Sequence, residues 1–99
     1  MIIKKDIEEL CKVISKIDSS KDCYDFLIDL CTPTELEALS DRWKAAQLLN
    51  QGYSYREIYS KTGVSTATIT RVARSLKMGT GGYSQQLDST SKKSKSYEK

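Results

Sequence analysis

The sequence predicts an all-α protein of about five helices that includes a helix-turn-helix, and three observations support this fold class. Apolar residues recur at helical spacing in several separate segments. Hydroxyl residues stand three positions before glutamates where helices are expected to begin, and glycines stand where helices are expected to end. With 99 residues, the chain is predicted to form one small domain, whose core an oligomer could help to complete.

The N-terminal half begins with two predicted amphipathic helices. The first runs from about Lys4 to Lys16, and the second follows a break at Ser19–Asp22. Their apolar stripes consist of Ile3, Ile7, Leu10, Ile14 and Ile17 in the first helix, and Cys23, Phe26, Leu27 and Leu30 in the second. These stripes are larger than one small helical domain is expected to cover by itself.

The third predicted helix has the clearest start signal in the chain. Thr32 is placed to cap it, Pro33 takes the first helical position and Glu35 completes a capping box. Gly52 is expected to end the helix near Gln51. The positions predicted to face the core are Leu36, Leu39, Trp43, Ala46 and Leu49.

Residues 54–77 are typical of a helix-turn-helix. Ser54 and Glu57 have the spacing of a second capping box, and Ile58 is the expected buried contact of the first helix. Gly63 suits a tight turn that requires positive φ, and Ser65 or Thr66 can cap the second helix. The inward face of that helix is predicted to consist of Ile69, Val72, Ala73 and Leu76.

The opposite face of the second helix carries short hydroxyl side chains mixed with two guanidinium groups. These residues are Thr68, Thr70, Arg71, Arg74 and Ser75. Hydroxyls can bond phosphates or bases, and Arg can bind guanine through two hydrogen bonds, so this face suits a DNA major groove. The alternative is an ordinary solvated helix face.

The charge distribution favours an anionic partner that meets one part of the chain. Residues 1–50 hold 7 Lys/Arg against 10 Asp/Glu, whereas residues 51–99 hold 9 against 3. Nucleic acid fits a basic segment of this kind, because phosphate contacts by Lys and Arg release counterions. The second helix of the helix-turn-helix lacks the broad apolar face that membrane binding would need.

The composition argues against an enzyme and against a metal or cofactor site. Histidine is absent, which removes the commonest general base and nitrogen ligand. Cys11, Cys23 and Cys31 show no C-x-x-C spacing and are expected to be reduced, buried small hydrophobes. The sequence contains no apolar run of about 18 residues, which a membrane-spanning helix would need, and no signal-peptide pattern. We therefore expect a cytoplasmic location.

The chain is predicted to lose structure toward its C-terminus. The glycines at 79, 81 and 82 indicate a loop, but no strand or Lys-Ser/Thr pair makes it a phosphate-binding loop. Tyr83 and Leu87 are expected to pack back on the domain as a short turn of helix. Residues 88–99 are predicted to be a disordered tail rich in Lys and Ser.

The segment from about Leu30 to Leu76 resembles the Trp repressor superfamily. The matching motifs are Thr-Pro-x-Glu at 32–35, Glu-Ala-Leu at 37–39, Leu-Leu at 48–49, Arg-Glu at 56–57, Ala-Thr-Ile-Thr-Arg at 67–71 and Ser-Leu-Lys at 75–77. Ser-Tyr-Arg-Glu-Ile at 54–58 and Gly-Gly-Tyr at 81–83 are more narrowly similar to the YerC/YecD branch.

The resemblance implies an intertwined homodimer with two DNA-binding heads. It assigns residues 1–31 to N-terminal dimerisation helices and residues 32–87 to a core helix with the DNA-binding head, followed by the tail at 88–99. The uncovered apolar stripes of the first two helices support a dimer independently. Two-fold symmetry would place the recognition helices about one DNA turn apart, roughly 34 Å, and favour a pseudo-palindromic operator.

The resemblance also implies which residues touch DNA. Arg56 is a candidate for base contact. The residues expected to face the groove are Thr66, Ala67, Thr68 and Thr70, and those expected near phosphates are Arg42, Lys44 and Lys77. Arg71 and Arg74 complete the predicted interface.

A tryptophan pocket is implied only in part. The positions that match the family's pocket are Thr32, Arg42, Arg71 and Ser75. Val72 replaces a glycine that leaves room for the indole, and Asp29 and Cys31 replace two leucines. A branched side chain and a carboxylate would both disfavour a flat apolar ligand. We therefore expect no tryptophan dependence, and the sequence leaves open whether another small molecule binds near Arg42 and Arg71.

These observations predict a regulator of transcription, of the repressor kind, that binds double-stranded DNA as a dimer. The alternative is a helical protein-interaction module whose basic face docks an acidic partner. Only dependence on base sequence separates the two, because both use the same charges.

Overall fold

A computed structural model describes residues 2–93, and it contains six helices and no strand within this range. The helices are α1 (Lys4–Ser15), α2 (Ser20–Leu30), α3 (Pro33–Asn50), α4 (Tyr55–Thr62), α5 (Thr66–Met78) and α6 (Gly82–Lys93). The all-α prediction is confirmed. No helix in the described part of the chain has the length and apolar character to cross a membrane.

The helices begin where the capping residues predict. The Thr32 N–H donates to Glu35 Oε1 at 2.8 Å, and the Glu35 N–H donates to Thr32 Oγ1 at 3.1 Å, which completes the capping box of α3. Ser19 caps α2 by accepting a hydrogen bond from the Asp22 N–H. These bonds satisfy backbone donors that have no partner within the helix.

The chain divides into two compact units, with the boundary within α3 between Glu37 and Ala38. The division predicted from the sequence lay ahead of α3, at residue 31. The first turn of α3 therefore belongs to the first unit, and the rest of the helix belongs to the second.

The second unit contains the hydrophobic core. Its buried side chains are Ala45, Ala46, Ile58, Val64, Ile69, Val72 and Leu87. The half-buried side chains packed around them are Trp43, Leu48, Leu49, Tyr53, Leu76 and Tyr83. The core therefore contains the predicted inward residues Ile58, Ile69, Val72 and Leu76 or has them packed against it. The prediction is wrong for Ala73, which is half-buried and outside this core, and for Leu39 on α3, which is 46% exposed.

The first unit has amphipathic helices but no buried residue among residues 2–37. Every residue of α1 is exposed, including Ile7, Leu10 and Ile14 of the predicted apolar stripe, whereas Ile17, beyond the end of α1, is half-buried. The three cysteines are free thiols; Cys23 and Cys31 are half-buried, whereas Cys11 is exposed. The expectation of buried cysteines is therefore wrong for Cys11, because α1 has no burying partner within this unit.

The C-terminal segment is more ordered than its composition predicts. In place of a short turn and a tail from Asp88, a helix of 12 residues ends at Lys93. Leu87 is only 5% exposed and joins the core, so it anchors the helix. Once a helix is nucleated, each added residue gains a backbone hydrogen bond, which carries it past the last apolar contact. The rest of the predicted tail, residues 94–99, lies outside the described residues.

Candidate nucleic-acid interface

The start of α4 is held by a complete capping box. The Ser54 N–H donates to Glu57 Oε1 at 2.8 Å, and the Glu57 N–H donates to Ser54 Oγ at 3.1 Å. The hydrogen bonds from the backbone and side chain of Ser54 lower the pKa of the Glu57 carboxyl, and the positive charge of Lys61 lowers it further. Glu57 therefore acts as a structural carboxylate in the basic part of the chain.

The turn between α4 and α5 depends on Gly63 and Thr62. Gly63 has a left-handed backbone with φ +79°, and its N–H donates to the Tyr59 carbonyl at 2.8 Å. Thr62 Oγ1 donates to the Ile58 carbonyl and accepts a hydrogen bond from the Val64 N–H. Val64 is 2% exposed, so the turn is fixed on one side by hydrogen bonds and on the other by the core.

Ser65 caps α5 and also engages one of the predicted contact residues. Its Oγ accepts a hydrogen bond from the Thr68 N–H and lies 3.1 Å from Thr68 Oγ1, to which it donates. Thr68 is half-buried, whereas Thr66 and Ala67 on the same turn are exposed. The first turn of α5 therefore presents Thr66 and Ala67 to solvent more fully than Thr68.

The inner side of α5 is closed and its outer side is open. Ile69 and Val72 are at most 1% exposed, because both pack into the core. The predicted contact residues Thr70, Arg71, Arg74 and Lys77 are all exposed. Val72, the residue expected to disfavour an indole ligand, is a core side chain.

Three of the predicted residues line one cleft on this open side. Thr70, Arg74 and Lys77 follow each other at steps of four and three along α5, which places them in one row. Together with Tyr55, the first residue of α4, and with Ala73 and Met78, they line a cleft of about 230 Å³. Tyr55 was not predicted from the sequence, because the spacing within α5 does not indicate which α4 residue lies beside it.

The other predicted phosphate and base contacts lie on different elements. Arg56 is exposed on the first turn of α4, and Lys44 is exposed on α3. Lys44 lines a separate depression with Gln47, Leu48 and Gln51, apart from the α5 row. Arg42 is half-buried, which makes it less open to solvent than the other predicted cations.

The residues that match the tryptophan pocket have varied surroundings. Thr32 serves the capping box of α3 and is exposed. Ser75 is half-buried and lines a cavity of about 580 Å³ with Trp43, Tyr83 and the loop from Gly79 to Gly82. Trp43 packs against the core as predicted, but one side of it forms a wall of this cavity, which the sequence did not indicate.

The charges on α4 and α5 leave this surface positive. Among the side chains that the structure describes, the ion pairs are Lys4–Glu8 and Lys21–Asp25, both in the first unit. Lys61 lies over the Tyr53 ring, 5.1 Å from its centroid. No described carboxylate lies within ion-pair distance of the arginines of α4 and α5 or of Lys77, so their charge is available to an anionic partner.

The described residues offer no metal-binding cluster of His, Cys, Asp and Glu side chains. What the surface does offer is a capped pair of helices with hydroxyl and guanidinium groups on the outside. This is the chemistry of phosphate and base-edge recognition.

Similarity to known proteins covers most of the chain. A family model described as Trp repressor protein matches residues 5–91. The uncharacterised protein YerC of Bacillus subtilis is 39% identical over 84 residues, which cover 85% of this chain and 81% of the relative. A Trp operon repressor homologue of Xylella fastidiosa is 43% identical over 70 residues, covering 70% of this chain and 76% of the relative.

Solved structures show the same fold. A candidate Trp repressor from Staphylococcus aureus superposes with a TM-score of 0.82 at 41% identity, covering 87% of this chain and 86% of that one. A TrpR-like protein from Eubacterium eligens gives a TM-score of 0.81 at 39% identity, covering 86% and 88% of the two chains.

Proposed function

The chain belongs to the Trp repressor family and is a DNA-binding regulator of transcription, and from this premise we propose that it acts as a homodimeric repressor of a pseudo-palindromic operator. The observation that carries the proposal is the position of α5. Its inner residues are sealed in the core, and its outer residues are exposed, polar and positively charged.

The first half of α5 is proposed to read bases. In a helix-turn-helix, the N-terminal residues of the second helix contact base edges. Thr66 and Ala67 are exposed at this end of α5, and Thr70 and Arg71 follow one turn later. Thr can bond several base edges or contact a thymine methyl group, and Arg can bind guanine through two hydrogen bonds.

The remaining cations are proposed to hold the protein on the DNA backbone. Arg56 lies at the start of α4, a helix that crosses the backbone in proteins of this kind, and it can contact a base or a phosphate. Lys44 and Arg42 on α3 are proposed to meet phosphates beyond the groove. Such contacts carry no sequence information but contribute much of the affinity.

The exposed stripe of α1 supports a homodimer. Ile3, Ile7, Leu10, Val13 and Ile14 are between 38% and 50% exposed. A 12-residue helix is marginal in water without tertiary packing, and contiguous exposed apolar patches are typical of interaction surfaces. A second copy of the chain, contributing the same stripe, would bury both. This assignment keeps residues 1–31 as dimerisation helices.

Tryptophan is proposed not to act as a co-repressor. The motivation is the set of replacements at the pocket positions: Val72 fills core volume, Asp29 is exposed and charged, and Cys31 is half-buried. Neither Asp29 nor Cys31 supplies the apolar wall that two leucines would provide for an indole.

The cytoplasmic location expected from the sequence stays a prediction.

A selection of duplexes from a random library tests the proposal. At near-physiological salt, the full chain should enrich a pseudo-palindrome with half-sites about one turn apart. Arg71→Ala and Arg56→Ala should each weaken binding to the enriched site by about 1–3 kcal/mol where a base contact is lost. Salt-sensitive binding without any enriched sequence would instead favour an acidic protein as the partner.

A further inference from the structure

The cleft between α4 and α5, defined above, has a set of lining residues that the base-reading role proposed for α5 does not explain. It brings Tyr55 at the first position of α4 together with the row of Thr70, Arg74 and Lys77 on α5. All four of these side chains belong to residues more than a third exposed. The cleft is therefore open to a ligand from solvent.

The chemistry of the cleft is that of a phosphodiester site. Arg74 and Lys77 supply positive charge, and the hydroxyls of Tyr55 and Thr70 supply neutral hydrogen-bond donors. Ala73 and Met78 complete the lining with apolar surface, and Met78 is 79% exposed. A phosphate flanked by sugars matches both the polar and the apolar lining. Its oxygens can accept hydrogen bonds from the donors, while the deoxyribose carbons contact the apolar side chains.

Charge and size both favour such a group over other ligands. Residues 51–87 contain five cations and one acid, and that acid, Glu57, is engaged in the capping box of α4. A volume of about 230 Å³ is below the 300–1,000 Å³ or so of typical small-molecule pockets. It accommodates a phosphate and part of its sugars.

We propose that this cleft binds one backbone phosphate of the DNA duplex in each half-site, and that the Tyr55 hydroxyl is one of its donors. The assignment rests on the proposed function, since it places α5 in the major groove. With the N-terminal end of α5 at the bases, Arg74 and Lys77 on its later turns lie toward the edge of the groove. That edge is where the backbone passes, and Tyr55 begins the helix that crosses it.

A matched pair of tyrosine substitutions tests the assignment. Tyr55→Phe removes one hydroxyl from the cleft, whereas Tyr59→Phe removes one from an α4 tyrosine that is 55% exposed and does not line it. Both variants should fold, because neither hydroxyl makes a hydrogen bond among the described residues. Circular dichroism and thermal unfolding verify this.

The expected result is a uniform loss of affinity for Tyr55→Phe. Binding should weaken by about three- to tenfold, both for the selected operator and for a scrambled duplex, because a phosphate contact carries no sequence information. Tyr59→Phe should bind like the wild type. The double substitution Arg74→Gln with Lys77→Gln should reduce the slope of log affinity against log salt concentration by about 0.9, as expected for one lost phosphate contact.

A modified duplex locates the phosphate. Single backbone phosphates of the operator are replaced by neutral methylphosphonates. At one position per half-site, this replacement should weaken binding by the wild type, and Tyr55→Phe should then bind the modified duplex no more weakly than the wild type does. If Tyr55→Phe shows its full effect at every methylphosphonate position, or binds the unmodified operator as tightly as wild type, the assignment of the cleft is wrong.

Two further outcomes separate the cleft from the proposed function. A pseudo-palindrome enriched by a protein whose affinity ignores the cleft substitutions refutes only the cleft. If no sequence is enriched but Tyr55→Phe still weakens duplex binding uniformly, the proposed function fails while the phosphate site stands. Inorganic phosphate that displaces DNA at millimolar concentration and constant ionic strength, in wild type but not in Tyr55→Phe, would make the cleft a site for free phosphate and overturn the backbone assignment.

Discussion

Replacing Gly63 by alanine should destabilise the protein by about 1 kcal/mol. Gly63 ends α4 with φ +79°, a conformation that costs an L-residue about 1–2 kcal/mol. A Cβ built on Gly63 meets no atom within 4 Å, so no collision adds to this cost. Alanine also lowers the entropy of the unfolded chain, which offsets about 0.4–1 kcal/mol. The difference is the net loss.

The loss can be measured by urea denaturation followed by circular dichroism. A change of 1 kcal/mol corresponds to a fall in Tm of about 4–8 °C for a domain of this size. Protein concentration must be the same for every variant, because association contributes to the apparent stability of an oligomer. Gly63→Asn should lose less than Gly63→Ala, since asparagine tolerates the left-handed region better.

Gly82→Ala is the matched control. Gly82 begins α6 without a positive φ, and a Cβ there would meet Thr80 Oγ1 at 3.8 Å, an ordinary contact. This variant should be as stable as wild type or up to about 1 kcal/mol more stable. If Gly63→Ala matched the wild type, the left-handed turn would be wrong. A loss above about 3 kcal/mol would mean that the added methyl group meets something that the open surroundings of Gly63 do not contain.

Three other predictions concern pH, assembly and ligand. The Glu57 carboxyl has a lowered pKa in the folded protein, so its contribution to stability is present above its unfolded pKa of about 4.3 and disappears as pH falls through the lowered value. Glu57→Gln, which still accepts the Ser54 hydrogen bond but cannot ionise, should show a flatter dependence of Tm on pH in that range than wild type. Ile7→Glu places a charge on a residue of α1 that is 47% exposed. It should raise the dimer dissociation constant in sedimentation equilibrium by about a hundredfold or more, because each subunit loses the burial of one Ile. Lys12→Ala should leave the dissociation constant unchanged, and an Ile7→Glu dimer as tight as the wild type would exclude this stripe as the interface. Isothermal titration with tryptophan should give no binding heat, and binding in the micromolar range would overturn the assigned independence from this ligand.

The helix starts were predictable because capping is a local relationship. Ser54 reaches Glu57, and Thr32 reaches Glu35, across three residues of the same chain segment. The same is true of Gly63, which follows the last residue of α4, Thr62, and has the left-handed conformation that commonly ends a helix. Tertiary contacts were not needed to place these residues.

The C-terminal helix was not predictable in the same way. Residues 88–93 have little to bury, and their composition is typical of disorder. They are helical because Leu87, just before them, is buried in a core assembled from α3, α4 and α5. That anchor depends on residues distant in the sequence, which composition does not report.

Residue spacing within α5 was enough to predict which side of this helix faces outward, whereas the neighbour on that side depends on how the helices pack. The 3.6-residue period of a helix places Thr70 and Arg74 opposite Ile69 and Val72 whatever else the chain does. The position of Tyr55 beside Arg74 depends instead on how α4 packs on α5 through the shared core. Angles within a helix are a local property of the backbone, whereas distances between helices follow from side-chain packing, and this is why the contact row could be predicted and the cleft could not.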